Sequence, residues 1–245
     1  MHIHVNGIEL HWEEHGDGEP LLWLHGFMGV GADWRFLFDA PPDGCRLIAP
    51  DLRGQGSSTA PAGAYSFRES ARDTLALLDH LRVERVKAIG LSGGGITALH
   101  MATIEPARIA AMVVVSAPPS FPEQARAIQR VFSESMLPEA ERTRMRSRHR
   151  RPGQLDALFA QARAFAGSDD PNFTPAELAS IAAETLIVFG DRDPFYPVSM
   201  AVDLYRAIPR SYLWVVPNGG HGPVFGQSAP SFGATALAFL RGSWR

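Results

Sequence analysis

Apolar residues in this chain follow two rhythms. Short unbroken apolar runs occur in PLLWLHG (20–26), RLIAPDLRG (46–54), VKAIGLS (86–92), AMVVVSAP (111–118), TLIVFGD (185–191) and YLWVVPN (212–218). Each has the length and pattern of a strand buried on both faces. Between them, apolar residues recur at helical spacing. Leu75, Leu78 and Leu81 mark a helix over 66–82. A second helix runs from Gly93 to about Glu105 and stops before Pro106. PVSMAVDLYRAIP opens a third with Pro197 near its first turn, and SFGATALAFLRG is the last. At the N-terminus HIHVNG and IELHWEEHG read as two strands around an Asn6-Gly7 turn, with Ile8, Leu10 and Trp12 alternating against polar residues.

Buried strands alternating with helices predict an α/β fold: a mostly parallel, eight-stranded sheet with helices on both faces. Between Pro118 and Pro175 the strand pattern stops, and EQARAIQRVFSESM, PEAERTRMRSRHRR and GQLDALFAQARAFAG are helical or helix-compatible. The expected organisation is one core domain from 1–118 and 176–245, with a helical cap at 119–175 inserted after the sixth strand. The insertion is too short to bury a core of its own, so it is expected to lie on the main sheet.

GLSGGG, between a predicted strand and a predicted helix, contains G-x-S-x-G at Gly90, Ser92 and Gly94. A sharp strand-to-helix turn lifts such a serine to the carboxyl edge of the sheet. The residues two before and two after it are then pressed against neighbouring backbone, where a side chain would clash. The following helix aims free N–H groups at the same place. A serine hydroxyl needs a base, and the base needs an orienting acid. Acids follow the next-to-last strand at Asp191 and Asp193, and His221 follows the last strand in a glycine-rich loop. Ser, Asp and His thus all fall just beyond carboxyl ends of strands, the edge where open α/β sheets bind ligands.

On these residues the chain resembles the α/β-hydrolase superfamily, over nearly its whole length. HGFMG (25–29) looks like the family's oxyanion loop, DLRGQGSS (51–58) like the loop after the fourth strand, GDRDPFYP like the acid loop and GGHG like the histidine loop. The resemblance implies Ser92 as nucleophile, His221 as general base and Asp193, rather than Asp191, as the orienting acid. It implies an oxyanion hole from the backbone N–H groups of Phe27 and Gly93, and a structural role for His25. Arg53 is expected to hold loops together. Met28, Phe195, Val224 and Phe225 flank these positions and are expected to shape the substrate pocket; Phe132, Met136, Phe159 and Phe165 are further candidates from the cap. An aspartate at position 92 would suggest dehalogenase or epoxide-hydrolase chemistry, whereas serine suggests acyl transfer. The expected activity is a serine hydrolase for a small to medium, apolar carboxylic ester. Lactone, thioester, C–C bond, amide and perhydrolase chemistry are alternatives on the same site, and a ligand receptor that retains the triad is a further one.

Composition narrows the partners. A formal net charge of −3 over 245 residues makes no case for nucleic acid. The densest charge run, Arg142–Arg151, reads as a solvated face with Glu139 and Glu141 nearby. The single cysteine, Cys45, forms neither a disulfide framework nor a thiolate metal cluster within one chain, and is expected in the core. The single lysine, Lys87, lacks a phosphate-loop context. His2, His4, His11 and His15 read as strand-surface histidines, with no metal implied. No run approaches the ~20 apolar residues of a membrane span, and no signal segment is recognised, so a cytoplasmic protein acting on a small molecule is expected. The proposed chemistry requires no cofactor, and the sequence carries no signal for an oligomeric state.

Overall fold

The structure, a computed structural model, describes residues 1–60 and 65–244. Strands β1 (His2–Val5), β2 (Ile8–His15), β3 (Glu19–Leu24), β4 (Cys45–Pro50), β5 (Val86–Leu91), β6 (Ile109–Val115), β7 (Glu184–Gly190) and β8 (Ser211–Val216) form a sheet in the order β1-β2-β4-β3-β5-β6-β7-β8. The β1–β2 and β2–β4 pairs are antiparallel, and all others are parallel.

The unbroken apolar runs are two alternating sets. Leu22, Leu24, Met112, Val114, Ile187 and Phe189 face one helical layer, while Leu21, Trp23, Val113, Val115, Leu186 and Val188 face the other. A parallel strand sandwiched between helices has no solvent face, which is why polar residues are missing from these runs. Helices α1 (Phe67–His80) and α2 (Gly93–Ile104) cover the first face; α3 (Glu123–Val131), α4 (Glu139–Arg148), α5 (Gln154–Ala164) and the short α6 (Pro175–Ala179) follow β6; α7 (Val198–Ala207) returns to the first face. The second face is covered by α8 (Ala229–Leu240) and by a 3-10 turn over Gly31–Phe36 that brings in Trp34, with Leu37 and Phe38 directly after it. Ser66 caps α1, its hydroxyl accepting the Glu69 N–H. Among the described residues no helix is long and apolar enough to cross a membrane.

The helices between β6 and β7 do not form a separate core. Leu158 and Phe159 pack on Met28, with Phe27 and Met145 at the edge of the same cluster. Strand order reverses at β3, which lies between β4 and β5. The loops after β3 and β5 therefore leave the sheet side by side at the switch point where open α/β sheets bind ligands. Cys45 departs from expectation: it opens β4 at the sheet's rim and is half-buried. His2 and His4 are exposed, while His11 Nδ1 lies 2.9 Å from the Asp51 carboxylate and His15 Nε2 2.9 Å from that of Glu13.

Candidate active site

Ser92 sits at the β5–α2 junction with φ 48° and ψ −114°, a conformation that costs a non-glycine residue about 1–3 kcal/mol. Packing on both sides holds it there. A Cβ on Gly94 would stand 2.1 Å from the Leu24 carbonyl oxygen, and one on Gly90 would stand 2.6 Å from that of Gly94. Only glycine lets β3, β5 and α2 approach this closely. The Ser92 N–H donates to the Val115 carbonyl (2.7 Å), and the Ser92 carbonyl accepts the Ile96 N–H as α2 begins.

His221, in the loop after β8, reaches back across the sheet edge. Its Nε2 lies 2.9 Å from Ser92 Oγ, and its Nδ1 lies 2.9 Å from Asp193 Oδ2. Asp193 spends its other oxygen on the N–H groups of Phe195 (2.8 Å) and Tyr196 (3.2 Å). Its side chain is wholly buried, whereas Asp191 is exposed. The rings of Phe195 and Tyr196 pack on the imidazole at centroid distances of 4.8 and 5.3 Å. Burial, reinforced by the Asp193 charge, pushes the Tyr196 hydroxyl well above the ordinary phenol range.

Among the described residues the N–H groups of Phe27 and Gly93 have no acceptor, and a Cβ on Gly93 would come within 3.2 Å of the Phe27 nitrogen. Two unpaired amides thus stand together beside Ser92. Met28, the next residue, fixes the Phe27 peptide: it adopts φ 66°, its N–H donates to Gln55 Oε1, and its carbonyl lies 3.0 Å from His149 Nε2.

Ser92 and His221 open into a cavity of about 210 Å³ between the sheet edge and the helices that follow β6. Met28, Phe195, Phe132 and Phe165 line it, as do Phe27 and Gly93. Val224 does not: the turn after His221 closes on itself (Phe225 N–H to Gly222 carbonyl, 3.3 Å), and Val224 joins the apolar core under α8. Phe225 lines a neighbouring groove with Phe36. Phe159 is buried in the cluster behind Met28, and Met136 is exposed. Gln129, Met145 and Tyr196 line the cavity and were not expected from sequence. Tyr196 could have been found from its place in the acid loop. Gln129 gave no signal, because a glutamine on an amphipathic helix looks like a surface residue.

His25 is fully buried, with Nδ1 2.8 Å from the Gly26 carbonyl and Nε2 accepting the Leu52 N–H at 2.9 Å. Those partners require the Nδ1–H tautomer and leave no lone pair for Ser92. Burial holds its pKa below the ordinary imidazole range. Arg53 is paired with Asp73 of α1 at 2.7 and 2.9 Å, tying the 51–58 loop to that helix. The Arg142–Arg151 run is only partly a solvated face. Arg142 and Arg144 pair with Glu139 and Glu141. Arg148, however, pairs with Asp33 (2.9 Å), His149 is buried, and Arg151 donates to the carbonyls of Ser57 and Ser58. The end of the run locks onto the core because unpaired loop carbonyls lie beneath it.

A family model described as alpha/beta hydrolase fold matches residues 19–140. The human serine hydrolase BPHL is 29% identical over 89% of this chain and 79% of its own length. An epoxide hydrolase from Caballeronia sordidicola is 38% identical, over 47% of this chain and 36% of that protein, so the chain spans about a third of that relative's length. Among solved structures, a meta-cleavage product hydrolase from Pseudomonas fluorescens superposes with a TM-score of 0.84 at 22% identity, covering 99% of this chain and 98% of the other. The likeness therefore runs through the whole sheet and the helices after β6, beyond the segment the family model matches. With the strand order and the glycine-packed turn at Ser92, these findings establish that the chain belongs to the α/β-hydrolase fold family.

Proposed function

We propose that the protein is a cytoplasmic serine hydrolase that cleaves a small to medium, largely apolar carboxylic ester. The observation that carries the reading is the unbroken hydrogen-bonded chain from Ser92 through His221 to Asp193, opening into an apolar cavity. His221 Nε2 takes the proton as Ser92 Oγ attacks the ester carbonyl, and Asp193 steadies the resulting imidazolium. The oxyanion accepts hydrogen bonds from the Phe27 and Gly93 amides, which among the described residues have no competing acceptor to give up. The C–O bond breaks, the alcohol leaves with the proton from His221, and Ser92 carries the acyl group. Water, giving its proton to His221, then attacks the acyl carbonyl; the acid leaves and the proton returns to Ser92.

Serine at position 92 is the reason for preferring acyl transfer over the epoxide opening named for relatives that match less than half of the chain. The cavity lies below the ~300–1,000 Å³ typical of drug-sized ligands, which suits a short acyl group. The helices from α3 to α5 act as a cap roofing that group. A fluorophosphonate probe reports an activated serine whatever the natural substrate. It is expected to label Ser92 in the wild type and not in Ser92→Ala or His221→Ala. Hydrolysis of p-nitrophenyl esters should fall by ~10⁴–10⁶-fold in either variant. A folded wild-type protein that takes no label would sink the reading.

A further inference from the structure

Two polar side chains in the cavity above Ser92 have nothing to bind. Gln129 of α3 and Tyr196 of the acid loop both line it, and each is more than nine-tenths buried, at 7% and 4% exposed. Among the described residues neither the Gln129 amide nor the Tyr196 hydroxyl has a hydrogen-bond partner. Gln129 Oε1, an acceptor, is sealed from solvent, whereas Gln129 Nε2 and the Tyr196 hydroxyl are not, so these two donors are the groups that can meet a ligand. Leaving such a group unpaired costs about 1–3 kcal/mol, and native proteins rarely tolerate it without a purpose. Leucine or methionine would fill the place of Gln129 among Phe132, Phe165 and Met145 without that cost.

The remaining walls narrow what the two groups receive. No aspartate, glutamate, lysine or arginine lines the cavity among the described residues, so an anionic ligand group would be desolvated without a countercharge. Tyr196 stays protonated because its burial and the Asp193 carboxylate both oppose ionisation, so it is a donor. The Gln129 amide carries two more N–H donors. We infer that the substrate bears, besides its scissile acyl group, a second and neutral hydrogen-bond acceptor, a ketone or amide carbonyl, received by Gln129 and Tyr196 within an otherwise apolar skeleton. This rests on the acyl-transfer reading and names the substrate class for it.

The test compares matched esters. On the acyl side, p-nitrophenyl 4-oxopentanoate, 5-oxohexanoate and 6-oxoheptanoate are set against the pentanoate, hexanoate and heptanoate. On the alcohol side, 2-oxopropyl acetate is set against 2-methylpropyl acetate, and mono-p-nitrophenyl glutarate supplies an anionic acyl group. The ratio of kcat/KM for the oxo ester over its alkyl partner is measured in the wild type, Gln129→Leu and Tyr196→Phe, with Gln129→Met in case the leucine variant does not fold. Comparing ratios between proteins cancels the intrinsic reactivity of each ester. One oxo ester is expected to lose roughly three- to tenfold in this ratio in the variants, the plain alkyl esters to improve in Gln129→Leu, and the glutarate to be the poorest substrate throughout. Fluorophosphonate labelling of Ser92 accompanies each assay. Ratios unchanged in every series with Ser92 still labelled would overturn the inference alone, as would a preference for the glutarate; no label on the wild type would sink the acyl-transfer reading and this inference with it.

Discussion

Ser92 holds its place by steric exclusion more than by hydrogen bonding. Its left-handed backbone is kept by the absence of side chains at Gly90 and Gly94, where the nearest carbonyl oxygens would stand 2.6 and 2.1 Å from a Cβ. Both are backbone atoms and cannot swing aside as a flexible side chain could. Gly94→Ala is therefore expected to destabilise the fold by more than about 3 kcal/mol, read as a shift of the urea midpoint, and to abolish labelling at Ser92. Gly167→Ala is the control, since nothing lies within 4 Å of its added methyl; its midpoint should stay within about 0.5 kcal/mol of wild type. An equal loss in both variants would mean that close approach at Gly94 does not set the requirement, since the entropy change of Gly→Ala alone would stabilise. The same scale explains why the acid could not be chosen from residue types alone. Asp191 and Asp193 are two positions apart and chemically identical. They differ because Asp193 turns inward onto the Phe195 and Tyr196 amides while Asp191 stays in water.

At the scale of elements, one buried histidine latches the helices after β6 to the loops that carry the site. His149, just past α4, accepts the Gly56 N–H at Nδ1 (3.0 Å) and, as the Nε2–H tautomer, donates to the Met28 carbonyl (3.0 Å). Gln154 adds bonds from its amide nitrogen to the Gly54 and Gly56 carbonyls, each 2.9 Å. One imidazole thus ties α4 to the 51–58 loop and to the peptide just after Phe27. His149→Phe leaves a buried donor and acceptor unpaired, at about 1–3 kcal/mol each. The thermal midpoint and kcat are both expected to drop, with KM less affected. His149→Gln carries an acceptor and a donor of similar spacing and should recover part of both losses; no recovery would assign the effect to volume alone. The core elements were legible in the sequence because burial on two faces leaves an unbroken apolar run, and helices beside them keep their own period. The Gly31–Phe36 turn was not, being too short to show a period. Neither was the latch: a run of arginines records charge, not which carbonyls lie beneath it. Val224 was misplaced for a related reason, since a loop has no periodicity to say which way a side chain turns.

For the whole molecule, the latch and the oxyanion loop share a response to acid. Burial holds both His25 and His149 below their ordinary value of 6.5. Asp51 pulls both upward, joined by Asp33 at His25, while Arg148 pushes both further down. In the unfolded chain each imidazole takes a proton near pH 6.5, whereas in the folded protein it does so only at lower pH. Between those values the unfolded state binds more protons, so stability falls as the pH falls through this window and levels off once the folded values are passed. Carboxylates enter later. Burial raises the pKa of Asp51, but the His11 ring and the Ser57 and Gly31 amides more than offset it, holding the group below 3.8; its contribution is present above that value and is lost only in stronger acid. Between about pH 7.5 and 5.5 His25 and His149 each contribute acid sensitivity of up to about 1.4 kcal/mol. Urea midpoints at the two pH values are expected to show this loss in the wild type, and His149→Gln should remove the share that His149 contributes, because glutamine binds no proton in either state. An undiminished loss in that variant would mean that His149 titrates alike folded and unfolded, and that its place between Gly56 and Met28 does not depend on its being neutral.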